Sequence, residues 1–331
     1  GRHVGKIVQY PSENKASVEK RRFSSSNIKN QRLYSYFQQV RTPNKSIIFS
    51  MFSKKDIERY YDLSEVHYRH FWALEKSKSL HYGYWDATTK NFHEALQNIN
   101  RVLSEEIGIV PPDHVLDAGC GVGGSSIWLA KKIGCRVTGI SLSKKQIQQA
   151  KMLARSEKVE HLVSFFEKDY TCTGFQDGQF SVVWGIESVC YVPDKADFIK
   201  EAFRLLKQGG RLIIADFFKK QGLNEGEARL VKQWANGWAI EDYATRESFE
   251  NKLSENGFSN IRFKNATPAI MHSARRLYTA YFMGMIPAFI YGLFHPAQTR
   301  LSKNNVTTAF LQYKTLKKGL WNYGIISAEK L

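Results

Sequence analysis

The stretch VLDAGCGVGG, residues 115–124, decides the fold of this chain of 331 residues. It begins as an apolar strand, passes an acidic residue at Asp117, and places glycines at 119, 121, 123 and 124 before a helical pattern begins. Glycine is required where the backbone turns with positive φ or lies close to a ligand. The stretch therefore predicts a strand–turn–helix unit whose turn faces a bound molecule.

A dinucleotide site is one interpretation of this turn. Gly119, Gly121 and Gly124 satisfy the G-x-G-x-x-G spacing. Two features argue against it. The carboxylate of Asp117 would repel a diphosphate, and Ser141 stands at the end of the second strand, where a ribose-binding acid is expected. An acidic residue followed by spaced glycines favours a ligand with a cationic amino-acid part and no phosphate, and S-adenosylmethionine (SAM) is such a ligand.

The chain after this point alternates between short apolar runs and helical patterns. Strands are predicted at 114–119, 135–140, 163–169, 180–186 and 210–218, with IRFKNAT at 261–267 as an edge strand. Parallel strands joined by single helices form a doubly wound sheet, because right-handed crossovers cover both faces. We therefore predict an α/β fold: a Rossmann-like, doubly wound, mostly parallel sheet with a helical N-terminal cap and C-terminal lid insertions.

The glycine turn resembles motif I of class I SAM-dependent methyltransferases, whose pattern is acidic-x-Gly-x-Gly. The next strand, VTGISLSKKQI at 137–147, is similar to a segment of the small-molecule and lipid subgroup that includes sterol C-24, tocopherol-type and cyclopropane synthase-like enzymes. The resemblance implies SAM as cofactor. It places Asp117, Gly119 and Gly121 at the turn, and it implies that Ser141 and Gln146, with Leu142 between them, take up the ribose and methionine ends.

Two further motifs extend the resemblance. Asp169 and Tyr170 follow the third strand, where this family binds adenine. DGQFSVVWGIESVCYVPDK at 177–195 is similar to the family's next motif and adds Ile186 to the residues implied at the cofactor. Ser181 and Tyr191 depart from that motif, since Asp and His are common there.

An upstream segment resembles the N-terminal cap of the same subgroup. It is YYDLSEVHYRHFWALEKSKSLHYGYW, residues 60–85. In that subgroup an aromatic hydroxyl reaches the methionine end of SAM. The resemblance therefore implies Tyr61, His81 and Tyr82 as cofactor-binding residues, whereas packing in the core is the alternative for an aromatic-rich helix.

The expected reaction needs few catalytic groups. Methyl transfer from a sulfonium is an in-line displacement, so the enzyme chiefly aligns the reactants and excludes water. A base is needed only if the acceptor loses a proton. Glu187, just past the fourth strand, is the candidate to act as a base, to hold a hydroxyl or to stabilise a cation. Tyr191 and His81 are the other catalytic candidates, and no metal site is predicted.

Aromatic side chains are frequent around the expected acceptor pocket, and such rings bind apolar molecules and stabilise positive charge. The sequence therefore favours a lipophilic acceptor, isoprenoid, sterol or quinone-like, methylated at carbon or oxygen. N-methylation of a small amine such as a phosphobase is the alternative, for which Arg275 and Arg276 would bind phosphate. The aromatic residues concerned are Tyr60, Trp85, Trp184, Tyr191, Trp234, Trp238, Tyr243, Tyr278, Tyr281 and Phe282.

The net charge of +17 is concentrated at the two ends of the chain. Residues 1–50 carry ten Lys and Arg against two acidic residues, and residues 264–331 carry nine against one. A nucleic-acid-binding protein or methyltransferase would place basic residues around the site itself, so we expect no nucleic-acid partner. Anionic membrane surface and solvated basic tails both remain as interpretations. The four cysteines form no CxxC pair, which predicts neither a disulfide scaffold nor zinc.

Four zones are predicted along the chain. They are a flexible basic tail over 1–50, a helical cap over 51–110, the SAM-binding domain over 111–265, and an aromatic, basic segment over 266–331 that covers the acceptor site. Residues 277–294 are the most apolar stretch, but glycines and a proline within it favour an interfacial segment over a spanning helix. We predict a protein of the cytoplasm or an organellar stroma, not secreted, with peripheral membrane contact as an open alternative.

Overall fold

The fold is described from a computed structural model, which covers residues 52–53, 78–79, 81–279 and 299–331, without the side chains of 299–306. Tyr61, Tyr60, Tyr281 and Phe282, the basic tail and most of the predicted cap lie outside the described residues. No helix in the described ranges is long and apolar enough to cross a membrane.

The described chain forms one seven-stranded sheet in the order β3-β2-β1-β4-β5-β7-β6. The first five strands run parallel to one another, and β7 pairs antiparallel with both β5 and β6. The predicted mostly parallel α/β fold is confirmed, with β6 at the edge. The strands are β1 His114–Ala118, β2 Arg136–Ser141, β3 Val163–Glu167, β4 Phe180–Ile186, β5 Leu206–Lys219, β6 Ser259–Asn265 and β7 Trp321–Lys330.

Helices connect the parallel strands and pack on the sheet. Side-chain caps fix several of their starts: Ser143 accepts from the backbone N–H of Gln146, and Asp194 accepts from that of Ala196. The helices are α1 Phe92–Glu106, α2 Gly124–Lys132, α3 Lys144–Ser156, α4 Lys195–Leu205, α5 Glu225–Gly237, α6 Arg246–Glu255, α7 over 267–279 and α8 Thr299–Lys317, with a short 3₁₀ helix at Val189–Tyr191.

Strand β7 was not predicted from the sequence. The sequence pattern places its residues in the segment predicted to cover the acceptor site, yet they pair with β5 along ten positions, from Gly210 with Lys330 to Lys219 with Trp321. The strand is buried on both faces from Tyr323 to Ala328, so it lacks the polar–apolar alternation of a half-exposed strand. The sheet is therefore completed by the last residues of the chain.

Three of the seven described aromatic residues expected at the acceptor pocket are core residues instead. Trp184 and Trp234 are 0% exposed and Tyr243 is 1% exposed. They lie in or beside a cluster centred on Phe217, in which all rings but the tilted Trp238 meet Phe217 edge-on, as aromatic quadrupoles prefer. Six ring centroids lie 5.5–5.7 Å from that of Phe217: those of Tyr82, Trp234, Trp238, Tyr243, Trp321 and Tyr323.

The serine that departs from the family motif has a structural role at the amino end of the sheet. The Ser181 hydroxyl donates to Asp113 Oδ1 at 2.6 Å and accepts from the His114 backbone N–H at 2.9 Å. Arg211 pairs with the same carboxylate at 2.6 Å. This network holds the start of β1 to β4 and β5, at the end of the sheet opposite the glycine turn.

Candidate active site

The glycine turn after β1 forms the floor of the site. The N–H groups of Gly119 and Cys120 donate to the carbonyl of Ile140 at 3.0 and 2.9 Å, which holds the turn against β2. Gly119 has φ +92°, and a Cβ there would lie 2.4 Å from that of Ser188. Gly121 has φ +53°, and a Cβ there would meet nothing within 4 Å. One glycine thus allows close packing, and the other leaves open space in the turn.

Asp117 presents a buried carboxyl at this turn. It is 3% exposed, and its Oδ2 accepts a 2.6 Å hydrogen bond from Ser126 on α2. Burial raises its pKa to about 6, although the Ser126 hydrogen bond opposes that shift. No Lys or Arg among the described residues pairs with it. A cationic group from a ligand would therefore stabilise its ionised form.

The end of β2 supplies a hydroxyl and an amide. Ser141 Oγ donates to Gln146 Oε1 at 2.8 Å and accepts from the Ser143 N–H at 3.2 Å. Ser143 also caps α3, so one local turn fixes the strand end and the first turn of the helix together. Both predicted side chains, with Leu142, line the cleft.

Glu187 lies directly after β4 in a left-handed backbone conformation, with φ +49°. Its Oε1 accepts from the Tyr82 backbone N–H at 2.7 Å and from the Tyr323 hydroxyl at 2.8 Å. Burial raises the pKa of Glu187 to about 8 against these hydrogen bonds, and the nearby Asp216 raises it further. A buried carboxyl with a strongly raised pKa in a cleft is characteristic of functional sites.

His81 presents an unprotonated nitrogen to the cleft. Its Nδ1 lies 3.0 Å from the Tyr82 carbonyl, which can only accept, so Nδ1 carries the proton. Nε2 is buried and has no hydrogen-bond partner among the described residues. Burial lowers the pKa of His81 to about 4, so the ring is neutral at pH 7. Nε2 therefore offers a lone pair to a donor on a bound molecule.

Tyr170 and Tyr191 form further parts of the wall. The Tyr170 hydroxyl donates to the Ser188 carbonyl at 2.7 Å. Tyr191 ends the 3₁₀ helix, which the buried Lys195 holds by donating to the carbonyls of Cys190 at 2.8 Å and Val192 at 2.5 Å.

These elements enclose one cleft of about 900 Å³, a volume that includes its open mouth. Two predicted residues do not line it. The Tyr82 hydroxyl donates to Gln312 in the core at 2.8 Å, and only its backbone N–H reaches Glu187. Asp169 accepts from Thr171 in its own turn. The predicted residues that line the cleft are His81, Asp117, Gly119, Gly121, Ser141, Leu142, Gln146, Tyr170, Ile186, Glu187 and Tyr191.

Sequence reasoning missed two parts of the site. The backbone at Lys78 crosses the start of α2 so closely that a Cβ on Gly124 would lie 2.0 Å from the Lys78 carbonyl oxygen. Glu157 fixes this crossing by pairing with Lys78 and, at 2.5 Å, with Lys131. The second missed part is Tyr323, whose contact with Glu187 joins residues 136 positions apart in the sequence. Gly124, the fourth glycine of the turn, was a sequence signal for the close crossing at Lys78. No local pattern indicated the contact of Tyr323.

The charges of the lining test which cofactor the cleft fits. Among the described lining residues Lys78 alone is cationic, and it is paired with Glu157. The cleft instead presents carboxyls at Asp117 and Glu187 and hydrogen-bonding groups at Ser141 and Gln146. This set suits a cationic ligand with a ribose and does not suit a diphosphate. The described residues contain no cluster of His, Cys, Asp or Glu that could hold a metal ion.

Comparison with known proteins identifies the family. A family described as "Methyltransferase domain" matches residues 116–214. Methyltransferase GfsG of Streptomyces halstedii is 32% identical over 191 residues, which are 57% of this chain and 67% of that protein. The chain belongs to the SAM-dependent methyltransferases. The predicted enzyme class and the predicted cofactor, S-adenosylmethionine, are thereby confirmed.

Two more proteins similar to this methyltransferase cover most of its length. The chloroplastic tocopherol O-methyltransferase of Arabidopsis thaliana is 26% identical over 304 residues, 84% of this chain and 82% of that protein. The crystal structure of the cyclopropane synthase MmaA2 from Mycobacterium tuberculosis superposes with a TM-score of 0.72 at 17% identity, covering 84% of this chain and 99% of that one. The similarity to the cyclopropane synthase, at 17% identity, is a similarity of fold.

Proposed function

We propose that the cleft holds SAM by its two charged ends and its ribose. Asp117 binds the ammonium group, because it is the buried carboxylate at the turn and lacks a protein cation. Ser141 and Gln146 bind the ribose, and the open space at Gly121 admits it. Tyr170 lies beside the adenine. With SAM bound, the cleft contains an electrophilic methyl group, and the chain's own residues align an acceptor with it and exclude water.

We propose Glu187, His81 and Tyr191 as the groups that face the acceptor. Glu187 Oε1 is engaged by two donors, so Oε2 is the oxygen available to a ligand. His81 Nε2 is available as a hydrogen-bond or proton acceptor. If the acceptor loses a proton, His81 Nε2 or Glu187 takes it. If a cation forms on the acceptor, the Glu187 carboxylate and the Tyr191 ring stabilise it.

We propose a lipophilic acceptor. The observation that carries this choice is the charge of the described lining, in which Lys78 alone is cationic and is paired with Glu157. A phosphobase would need cationic side chains for its phosphate, and Arg275 and Arg276 are exposed on α7, outside the described lining. The similarity to a tocopherol O-methyltransferase supports the same class. The labelled-methyl screen described below also identifies whether the methyl group is transferred to carbon or to oxygen.

We propose that the protein makes peripheral contact with an anionic membrane, in the cytoplasm or an organellar stroma. Residues 275–319 carry seven Lys and Arg and no acidic residue. Arg275, Arg276 and Lys314 are exposed on α7 and α8, beside partly buried aromatic rings. Basic side chains beside aromatic rings are typical of surfaces that bind anionic lipid.

The division of the chain into the four zones predicted from the sequence remains a proposal. In it, β7 belongs to the SAM-binding domain, because this strand pairs with β5.

A labelled-methyl screen tests the acceptor. The full chain is incubated with methyl-labelled SAM and fractionated extracts, and products are identified by mass spectrometry. Label in the apolar fraction is expected. Label confined to water-soluble amines would replace the lipophilic acceptor with the N-methylation alternative, and S-adenosylhomocysteine (SAH) titration separately reports cofactor binding.

Liposome flotation tests the membrane contact. The double variant Arg275→Glu, Lys314→Glu is expected to lose recovery with vesicles that contain phosphatidylserine. The matched control is Lys144→Glu, Lys151→Glu, which makes the same charge change at exposed positions of α3. Equal recovery of both variants would contradict a contact through α7 and α8.

A further inference from the structure

The strongest unassigned feature of the active site is the hydroxyl of Tyr323. The side chain is 0% exposed and donates to Glu187 Oε1 at 2.8 Å. It comes from β7, the last strand of the chain, whereas Glu187 follows β4. Strand β5 lies between the two, so the side chain reaches Glu187 across one intervening strand of the sheet.

A second buried tyrosine shows that this contact is specific. Tyr82 is 1% exposed and packs on Phe217 at 5.7 Å, as Tyr323 does at 5.5 Å. The Tyr82 hydroxyl, however, donates to Gln312 on α8 and not to Glu187. Both rings therefore pack on Phe217, and their hydroxyls have different partners.

We propose that Tyr323 is a positioning residue of the methyltransferase site, whose hydroxyl fixes the orientation of the Glu187 carboxyl and controls its ionisation. This inference rests on the proposed role of Glu187. With the Tyr323 hydroxyl and the Tyr82 N–H both on Oε1, a proton or a ligand contact is directed to Oε2. The closing strand of the sheet thereby acts on the reaction through Glu187, without touching the acceptor.

The charged and titratable groups around Glu187 come from several elements. His81 and Tyr82 precede α1, and Asp117 is the last residue but one of β1. Asp216 lies in β5 with the buried Lys195 beside it, Cys190 lies in the 3₁₀ helix, and Tyr323 lies in β7. Asp216, Tyr82 and Tyr323 are the neighbours that affect Glu187, and among them the two donors oppose the effect of burial. Removing the Tyr323 hydroxyl removes one of those two donors.

The direction of the expected shift follows from this balance. Hydrogen bonds to a carboxylate favour its ionised form, so Tyr323→Phe raises the pKa of Glu187 above its value of about 8. A carboxyl whose pKa is raised in the folded state loses stability as pH rises from its unfolded value to its folded value. In Tyr323→Phe this loss therefore continues about one pH unit further than in the wild type.

The test is the stability of the free full-length protein between pH 6 and pH 10, measured by denaturant unfolding. Four variants are compared: Tyr323→Phe, Tyr82→Phe, Glu187→Gln and the double variant Tyr323→Phe, Glu187→Gln. We expect an alkaline displacement in Tyr323→Phe, no displacement in Tyr82→Phe, and parallel pH profiles for Glu187→Gln with and without the second substitution.

Equal displacement in the two tyrosine variants, or a displacement that persists in the Glu187→Gln background, would overturn the inference. If Tyr323→Phe does not fold, replacing Tyr323 with 3-fluorotyrosine decides, because its more acidic hydroxyl is a stronger donor to Glu187 and must lower the midpoint of this carboxyl in an infrared titration. An unchanged midpoint would overturn the inference. The pH profile of methyl transfer, with an acceptor from the screen, must move with the stability profile. SAH titration is independent of these results, so a failed cofactor site is distinguished from a failed role of Tyr323.

Discussion

Replacing Asp117 with Asn separates its role in binding from its effect on stability. The substitution keeps the size of the side chain and an oxygen for the 2.6 Å hydrogen bond from Ser126, but it removes the negative charge. A charge-assisted hydrogen bond to the SAM ammonium contributes about 1.5–3 kcal/mol. We therefore expect the Kd for SAH, which carries the same ammonium, to rise about 10- to 150-fold.

The same substitution stabilises the free protein at neutral pH. The pKa of Asp117 is raised from 3.8 to about 6 by burial, so the folded state holds a proton that the unfolded state has lost between those values. Stability falls as pH rises through this window, by roughly 3 kcal/mol in total. Asp117→Asn does not titrate. Its advantage over the wild type should be absent below pH 4 and complete above about pH 6.

Asp113 provides a matched control just before the amino end of β1. It is also buried, but hydrogen bonds from Ser181, Val110 and Arg211 outweigh burial and lower its pKa. Asp113→Asn should therefore lose stability at neutral pH and keep its SAH affinity. Calorimetric titration and denaturant unfolding at pH 4 to 8 measure both quantities. Wild-type SAH affinity in Asp117→Asn, or a pH profile parallel to the wild type, would refute the reasoning.

Three other outcomes follow from the site. Gly121→Ala places a methyl group in open space of the cleft and should abolish SAH binding. Gly134→Ala is the control, because Gly134 also has a positive φ and nothing within 4 Å. Both variants should lose about 1 kcal/mol of stability, and Gly134→Ala should bind SAH normally. SAM binding at pH 7 should release up to one proton from Glu187, seen as a dependence of binding heat on buffer ionisation enthalpy. The wild type should lose stability as pH falls from 6.5 to about 4, because protonation of His81 opposes folding. In acid unfolding curves, His81→Asn should lack this pH-dependent loss.

The part of the site that the sequence predicts is the part built from local turns. Asp117 lies near the end of β1 and Gly121 in the turn after it, while Ser141 ends β2 and Gln146 lies in the first turn of α3, so a strand end and a few residues fix each group. Carboxyl ends of parallel strands meet at one edge of the sheet, which brings these turns together in any doubly wound fold. Their placement in one cleft could be foreseen without knowing how the rest of the chain packs.

The other parts depend on long-range packing that no local pattern encodes. Strand β7 is buried from Tyr323 to Ala328 and has the apolar pattern of a core helix or a covering segment, so Tyr323 could not be placed beside Glu187 from the sequence. Trp184 and Trp234 contributed to the predicted acceptor pocket, but the sequence alone does not distinguish an aromatic residue in the core from one that lines a pocket. Only the pairing of β7 with β5, and the rings that gather on Phe217, distinguish the two.

The two carboxyls of the cleft share one electrostatic property. Asp117 and Glu187 lie at the carboxyl ends of the neighbouring strands β1 and β4. Burial raises the pKa of each, to about 6 and about 8, and no protein cation among the described residues pairs with either carboxyl. In the free protein their ionisation therefore opposes folding. A ligand that carries an ammonium and a sulfonium reverses this, because each positive charge favours an ionised carboxyl. The cleft thus gains affinity for a cation at the expense of its own stability, and removing either charge should strengthen the fold at alkaline pH and weaken binding.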